Sequence, residues 1–280
     1  MTTGFRSAFF ELLVISNVFA GLFTVSVCVI TLFLTKHPMV IILPLTVFSG
    51  TLFIYTMNRF TDRNEDIINN PRRFRFIDRY GKASLSIAAA LYLCSLAVLL
   101  NSDVSTFLVA VLPVVIAILY SVFRLKRVFL AKNIAVASAA LCSVAIVLVY
   151  FRDFAPYSLI LAVFFFLGFL INTIIFDIKD IRGDLQYQIA TIPAALGVRT
   201  TKIICYILLV LNGFIPPILA AWSPVSLILY LYTVYLGLYI AFADDPSKLP
   251  SWYYGIFVDG ECLFLGACFA LFIIVSPIFF

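Results

Sequence analysis

Long apolar runs separated by short polar breaks organise the whole 280-residue chain. Strand-like alternation of apolar and polar positions is not the dominant pattern; the runs are nearly continuous. A hydrocarbon core of about 30 Å takes roughly 20 apolar residues in a helix, and the runs have that length. Nine can be laid down, at 9–34, 39–58, 84–101, 104–123, 133–151, 155–176, 202–221, 224–242 and 254–276. The third is short, and the last carries Asp259 and Glu261 near its start. No cleavable signal is expected, because the first run follows only Met1 to Ser7 and is too long and continuous for a signal's apolar region.

Composition agrees with this pattern. Average soluble chains are about half apolar and about a quarter charged, whereas this one is 64% hydrophobic and 12% charged. An all-α integral membrane protein is therefore expected, with residues 1–280 as a single domain because no linker, low-complexity stretch or charged tail interrupts it. Charge distribution orients it. Seventeen of the nineteen Lys and Arg fall on one side of the nine-span arrangement, leaving Lys36 and Arg152 on the other. The positive-inside rule then places the N-terminus cytoplasmic and the C-terminus outside, and favours an odd number of spans. The six cysteines show no CxxC or CxxH spacing and read as small apolar side chains, and His37, the single histidine, reads as a surface loop residue.

Two polar interruptions are long, 59–83 and 177–201, and four spans lie between them. Each opens with a charged cluster, "NRFTDRNED" from Asn58 and "DIKDIRGD" from Asp177. This layout predicts two four-helix repeats in parallel orientation plus a ninth helix, with the clusters facing each other across a central cavity. Asn58, Asp62 and Asp66 recur every four residues, and Asp177, Asp180 and Asp184 after three and four, so each set forms a stripe along one helix face. Like charges at that spacing repel by a few tenths of a kcal/mol in water and more where water is scarce, so a cation should sit among them. Oxygen ligands without Cys or His select a hard ion, and Mg²⁺ typically takes one or two carboxylates and completes its octahedron with water and phosphate. Two such stripes suit a diphosphate held through Mg²⁺. The alternative is a pair of solvated helix ends with the acids paired to Arg59, Arg63, Lys179 and Arg182. Matched spacing on one side of the membrane argues against it.

Between the clusters lies "LYSVFRLKRVFLAKNIAVA", residues 119–137. Tyr120 ends a span, and Arg124, Lys126, Arg127 and Lys132 follow. These residues fit an interfacial anchor, or cations that contact phosphate oxygens left free by metal.

Together the three elements resemble the UbiA superfamily of intramembrane prenyltransferases. The first motif of that family, N-[DR]-x-x-D-x-x-x-D, is matched by Asn58, Arg59, Asp62 and Asp66; the second, D-x-x-x-D, by Asp180 and Asp184, with Asp177 as an upstream acid. "TIPAALG", residues 191–197, resembles the T-x-P-x-x-x-G continuation, and Tyr120 with Arg124 and Lys126 resembles the family's Tyr and basic residue after the fourth helix. The resemblance implies nine helices around a cavity open to lipid, with an active site facing the cytoplasm of a cell membrane. It implies Mg²⁺-dependent transfer of an isoprenoid from a polyprenyl diphosphate donor to a hydrophobic acceptor. Asp62, Asp66, Asp180 and Asp184 are the expected catalytic residues; these four and Asp177 are the expected metal ligands. Asn58, Arg59, Arg73, Tyr120, Arg124, Lys126 and Lys179 are expected on the diphosphate. Membrane lipid is the expected surrounding partner, and no nucleic acid is expected.

The chain departs from the family pattern at "PRRFRFIDRYGK", which keeps Pro71 and Arg73 but has Phe74 where many members have a second proline. The first span carries Glu11 and Asn17 where relatives have an arginine-bearing entry, and Arg124 stands where Lys is usual after Tyr120. These differences bear on the acceptor more than on the diphosphate site. A membrane terpene cyclase would use the same diphosphate site without an acceptor. A divalent-cation transporter is the remaining alternative, but the middles of most spans carry no acid, so no charged path crosses the bilayer.

Overall fold

The computed structural model describes residues 13–61, 67, 71–122, 128–186, 189–220, 223–250 and 252–279, and contains no strand among them. The α-helices are α1 (Val18–Leu34), α2 (Ile42–Thr61), α3 (Pro71–Ser102), α4 (Val104–Val122), α5 (Ala131–Tyr150), α6 (Pro156–Gln186), α7 (Ile192–Gly213), α8 (Ile215–Ala220), α9 (Pro224–Phe242) and α10 (Glu261–Phe279). A 3₁₀ turn, Pro246–Lys248, and a π-helical turn, Tyr253–Val258, lie between α9 and α10. Among the described residues, five segments are long and apolar enough to cross a membrane: α3, α5, α6, the α7–α8 segment and α9. Shorter apolar helices occur at Val18–Leu34, Val104–Leu119 and Glu261–Val275.

Local chemistry sets the helix boundaries. Asp103 alone separates α3 from α4, and its carboxylate accepts the Thr106 N–H at 2.9 Å, satisfying one of the free donors of the first turn. Ser223 caps α9 by accepting the Ser226 N–H, with Pro224 preset for the first helical position.

Two helices overrun the polar boundaries expected from hydropathy. α3 begins at Pro71 rather than near residue 84, and α6 continues through Gln186 rather than ending at 176. At about 1.5 Å per residue α3 is about 48 Å long, well beyond a bilayer core. Its first turns stay helical because they are amphipathic: Ile77 and Gly81 are buried while Arg72, Arg75 and Arg79 are exposed. Hydropathy marks where the membrane is, whereas a helix ends where its backbone pattern ends.

Consecutive helices pack side by side from α1 to α7, α7 packs on α9 and α9 on α10, and α10 returns to α1, closing a ring. Two packed cores divide its interior. The larger joins α1, α5, α6, α7, α9 and α10 through Phe164, Phe165, Phe169, Tyr232, Leu236 and Tyr239. Within it Glu261 is wholly buried, accepting from the Tyr239 hydroxyl at 2.6 Å and the Tyr232 hydroxyl at 3.2 Å. A carboxylate at that depth is tolerable only with such partners. Asn212 ties α7 to α6 through Phe164 O at 2.8 Å and to α9 through Thr233 at 3.0 Å. The smaller core joins α1 to α5 and contains Cys28, Leu32, Leu43, Tyr92, Leu96, Leu99, Ala110, Ile146 and Val147.

All six cysteines are free, as expected. His37 is not a plain surface residue. Its Nε2 lies 3.0 Å from Asp153 and its ring stacks on Phe151 at 4.1 Å, joining the α1–α2 and α5–α6 connections. A distant aspartate in another loop left no local signal in the sequence.

Candidate active site

A cavity of about 330 Å³ opens among α1 to α6, and charge is concentrated at one end of it. Among the described residues that end holds four cations, Arg59, Arg73, Lys132 and Lys179, and four carboxylates, Asp177, Asp180, Asp184 and Asp259. Asn17, Asn58, Asn133 and Asn172 line it as well. Among the described residues no other charged side chain lines the cavity, so one end is polar and ionic and the rest is not.

Three of the four carboxylates come from the overrun of α6. Because that helix continues past the apolar run, Asp177, Asp180 and Asp184 recur along one face and reach the cavity together. Asp177 and Asp184 are buried, each about 3% exposed or less. The expected cation among them is present in part as a lysine from α5. Lys132 Nζ is 2.8 Å from Asp177 and 3.5 Å from Asp184, and the neighbouring Asn133 donates from Nδ2 to the other Asp177 oxygen at 2.7 Å. Both oxygens of Asp177 are thereby taken up, whereas the contact of Asp184 with Lys132 is longer. Lys179 Nζ lies 5.7 Å from the centre of the Phe176 ring, a cation–π approach beside the cavity that both residues line.

The first cluster enters through the last turns of α2, where Asn58 and Arg59 reach the cavity, and Arg73 comes from the first turn of α3. Of the residues expected from sequence, Asn58, Arg59, Arg73, Asp177, Lys179, Asp180 and Asp184 are therefore brought to one place. Asp62, Asp66, Arg124 and Lys126 lie outside the described residues, as does the side chain of Tyr120. Among the described residues no group of three His, Cys, Asp or Glu side chains is disposed to hold a metal ion. The donor set present is nonetheless of hard oxygens, Asp180, Asp184 and Asn58, amid cations suited to an anion's remaining oxygens.

Sequence reasoning missed three participants. Lys132 was one of several basic residues after the fourth span, and nothing local distinguished it from an anchor. Asn133 and Asp259 gave no motif, since Asn133 opens one apolar run and Asp259 lies near the start of another. Only the ring closure of α10 against α1 carries Asp259 round to Arg59, Arg73 and Lys179.

Below the ionic end the walls are apolar despite several hydroxyls. Thr46 and Thr51 donate back to Ile42 O and Val47 O at 2.7 Å, Ser143 to Ala140 O at 2.6 Å, and Thr24 to Gly21 O at 2.9 Å. Such back-bonding satisfies the hydroxyl inside its own helix and leaves little polarity for a ligand. Phe23, Phe169 and Phe176 supply aromatic surface to the same walls.

A closed helical ring of apolar segments around a cavity that is ionic at one end and apolar in its body is the architecture of a helical membrane protein with a buried site. The profile of the UbiA prenyltransferase family matches residues 14–258, and the chain belongs to that family; it is a multi-pass membrane protein. Its fold is that of solved relatives. A UbiA homologue from Aeropyrum pernix K1 in its apo form superposes with a TM-score of 0.69 at 16% identity, covering 91% of this chain and 98% of that one. One from Archaeoglobus fulgidus, bound to GPP and Mg²⁺, has the same TM-score at 17% identity, covering 92% and 98%. A structure from a study of digeranylgeranylglyceryl phosphate synthase in membranes superposes at 0.58 with 16% identity, covering 96% and 99%. No protein with a curated description matches the sequence.

Proposed function

We propose that this protein transfers an isoprenoid group from a polyprenyl diphosphate to a lipid-soluble acceptor, with Mg²⁺, at the cytoplasmic edge of a cell membrane spanned nine times. The observation that carries this reading is a cavity with eight charged side chains at one end and a back-bonded, apolar body. Family membership and the GPP and Mg²⁺ in the Archaeoglobus homologue support it. The positive-inside count supports the N-terminus on the cytoplasmic side, and the order of helices around the ring supports two four-helix repeats plus α10.

In this reading Asp180 and Asp184, with Asp62 and Asp66 of the first motif, would hold Mg²⁺, which when bound would offset the negative charge of the diphosphate leaving group. Arg59, Arg73, Lys179 and Asn58 line the same end and donate to the remaining oxygens; Tyr120, Arg124 and Lys126 are the further candidates on the leaving group. The bonding electron pair leaves with the diphosphate, so the fixed cations act where negative charge grows, which is where preorganised donors lower a barrier most. Positive charge develops at the allylic carbon, and the aromatic faces of the cavity favour it. The acceptor's nucleophile then forms the new bond to that carbon and gives up its proton. Asp177 serves differently from its neighbours: bonded on both oxygens, it anchors Lys132 beside Asp184.

The test is product analysis by mass on purified protein in detergent, supplied with Mg²⁺, geranylgeranyl diphosphate and a panel of quinone-precursor, glyceryl phosphate and tetrapyrrole acceptors. A prenylated acceptor formed in step with diphosphate release is the expected result. A cyclic product formed equally well without acceptor would replace the transferase by a terpene cyclase.

A further inference from the structure

We infer that Asp259 is the resident counter-charge of the diphosphate-binding cations: it holds Arg59, Arg73 and Lys179 together while the cavity is empty, and it loosens the grip of the filled site so that diphosphate can leave. This rests on the proposed donor site. Asp259 belongs to neither acidic motif, yet it lines the ionic end with those three cations, and they are the opposite charges that act on it. Like charges gathered where water is scarce repel one another, and an anion among them lowers that cost. Asp180 also acts on Lys179, but in the proposed site its charge is directed to Mg²⁺, which leaves Asp259 as the fixed anion for the cations. Cations that grip a donor's diphosphate grip the diphosphate product as well, and product release limits many enzymes. A fixed negative charge beside them lowers the affinity for both.

Asp259 is placed for this role. Among the described residues no side chain is hydrogen-bonded or ion-paired to its carboxylate, in contrast to Asp177, which is bonded on both oxygens. It therefore offsets the cations through space and leaves no direct pair for diphosphate to break. Its backbone is fixed from its own turn and from two other helices. The Asp259 N–H donates to Tyr254 O at 3.2 Å across the π-helical turn. The Tyr235 hydroxyl of α9 donates to Phe257 O at 2.5 Å, and Asn172 of α6 donates to Val258 O at 3.3 Å. Gly260 follows because a Cβ there would stand 2.3 Å from Ile256 O, a backbone atom that cannot swing aside. π-helical turns are rare and occur frequently at functional sites. Glu261, two residues on, is taken up by Tyr232 and Tyr239 in the larger core, so of these two acids Asp259 is the one that lines the cavity.

The test needs no acceptor. Inorganic diphosphate with Mg²⁺ is the probe, and its affinity is measured by isothermal titration, alongside the melting temperature in detergent, for the wild type, Asp259→Asn and Asp259→Glu. Asp259→Asn should bind diphosphate about tenfold more tightly. Its melting temperature should lie below that of the wild type in the empty protein, and the gap should narrow at saturating diphosphate, because the tighter ligand stabilises the variant more. Asp259→Glu keeps the charge and should bind as the wild type does. If Asp259→Asn does not fold, combining it with Lys179→Met removes the excess cation and should restore a folded protein; a double variant no more stable than Asp259→Asn would overturn the counter-charge. Diphosphate binding by Asp259→Asn that is equal to or weaker than that of the wild type, or a melting-temperature gap of the same size with and without ligand, would overturn the inference while leaving the donor site standing. No binding of diphosphate by the wild type with Mg²⁺ would overturn both.

Discussion

Lys132 makes the acid stripe of α6 possible. Two carboxylates at i and i+7, both nearly out of solvent, would repel across a medium of low dielectric constant, and one ammonium 2.8 Å from the first and 3.5 Å from the second relieves this. Removing one partner of such a buried pair leaves an uncompensated charge and typically costs about 3–5 kcal/mol, whereas replacing both is far milder. Lys132→Met should therefore lower the melting temperature in detergent markedly, and Lys132→Met combined with Asp177→Asn should recover most of the loss. Thermal unfolding of the three proteins decides it. If the double variant is no more stable than the single one, Asp177 is not the lysine's anchor. The same geometry separates the aspartates. Asp180→Asn should keep the wild-type melting temperature while diphosphate release falls by orders of magnitude, and Asp177→Asn should show the larger thermal loss. The motif spacing placed all three acids on one face, but spacing is silent on which of them is already bonded. That depended on Lys132 and Asn133 arriving from α5, about 45 residues earlier in sequence.

At the scale of elements, close approach is bought with small residues. Gly168 on α6 lies beneath Tyr232 of α9, and a Cβ there would stand 2.3 Å from the tyrosine oxygen and 3.2 Å from its ring. Gly168→Ala should push Tyr232 off Glu261 and lower stability by about 1–3 kcal/mol, the usual cost of overpacking, read as a lower melting temperature with the protein still monodisperse. An unchanged melting temperature would mean that α6 and α9 can separate freely. The far loops are clasped by charge instead. Burial tends to raise the pKa of Asp153, but the hydroxyl of Ser158, the N–H of Ala155 and His37 outweigh it and hold the carboxyl below its ordinary value. A depressed carboxyl stabilises the fold above its unfolded pKa, and that contribution is lost as pH falls through the folded value, below about 4. Asp153→Asn should therefore lower stability at neutral pH and flatten the acid limb of the stability profile; an acid limb identical to the wild type would remove the clasp from the account. Apolar runs showed where helices cross the membrane. They did not show that α3 and α6 continue past it, because amphipathic turns with arginines and aspartates lower hydropathy without breaking a helix.

For the molecule as a whole, the ring is what converts two sequence motifs into a site. The motifs on α2 and α6 are far apart in sequence, and they meet because each helix packs on its successor and α10 closes against α1. Closure also brings Asp259 to the cations of the first motif, a contact that no local pattern announced. The division of the cavity into an ionic head and an apolar body follows from where the apolar runs end on α2, α5 and α6, and to that extent it was legible in the residue pattern. The place of Tyr92 in its wall was not, since Tyr92 is one aromatic among 45 Phe, Tyr and Trp residues and acquires that place only from Gly50 and Ala110 on neighbouring helices. The central claim is that this ionic head grips a diphosphate through Mg²⁺ so that the prenyl carbon below it can be released. The most direct measurement is diphosphate release from geranylgeranyl diphosphate by the purified protein, with Mg²⁺, after chelation with EDTA, after Mg²⁺ is restored, and with Asp180→Asn in place of the wild type. Release that vanishes on chelation, returns with Mg²⁺ and is absent from the variant is the predicted result. Release that survives both chelation and Asp180→Asn would contradict it.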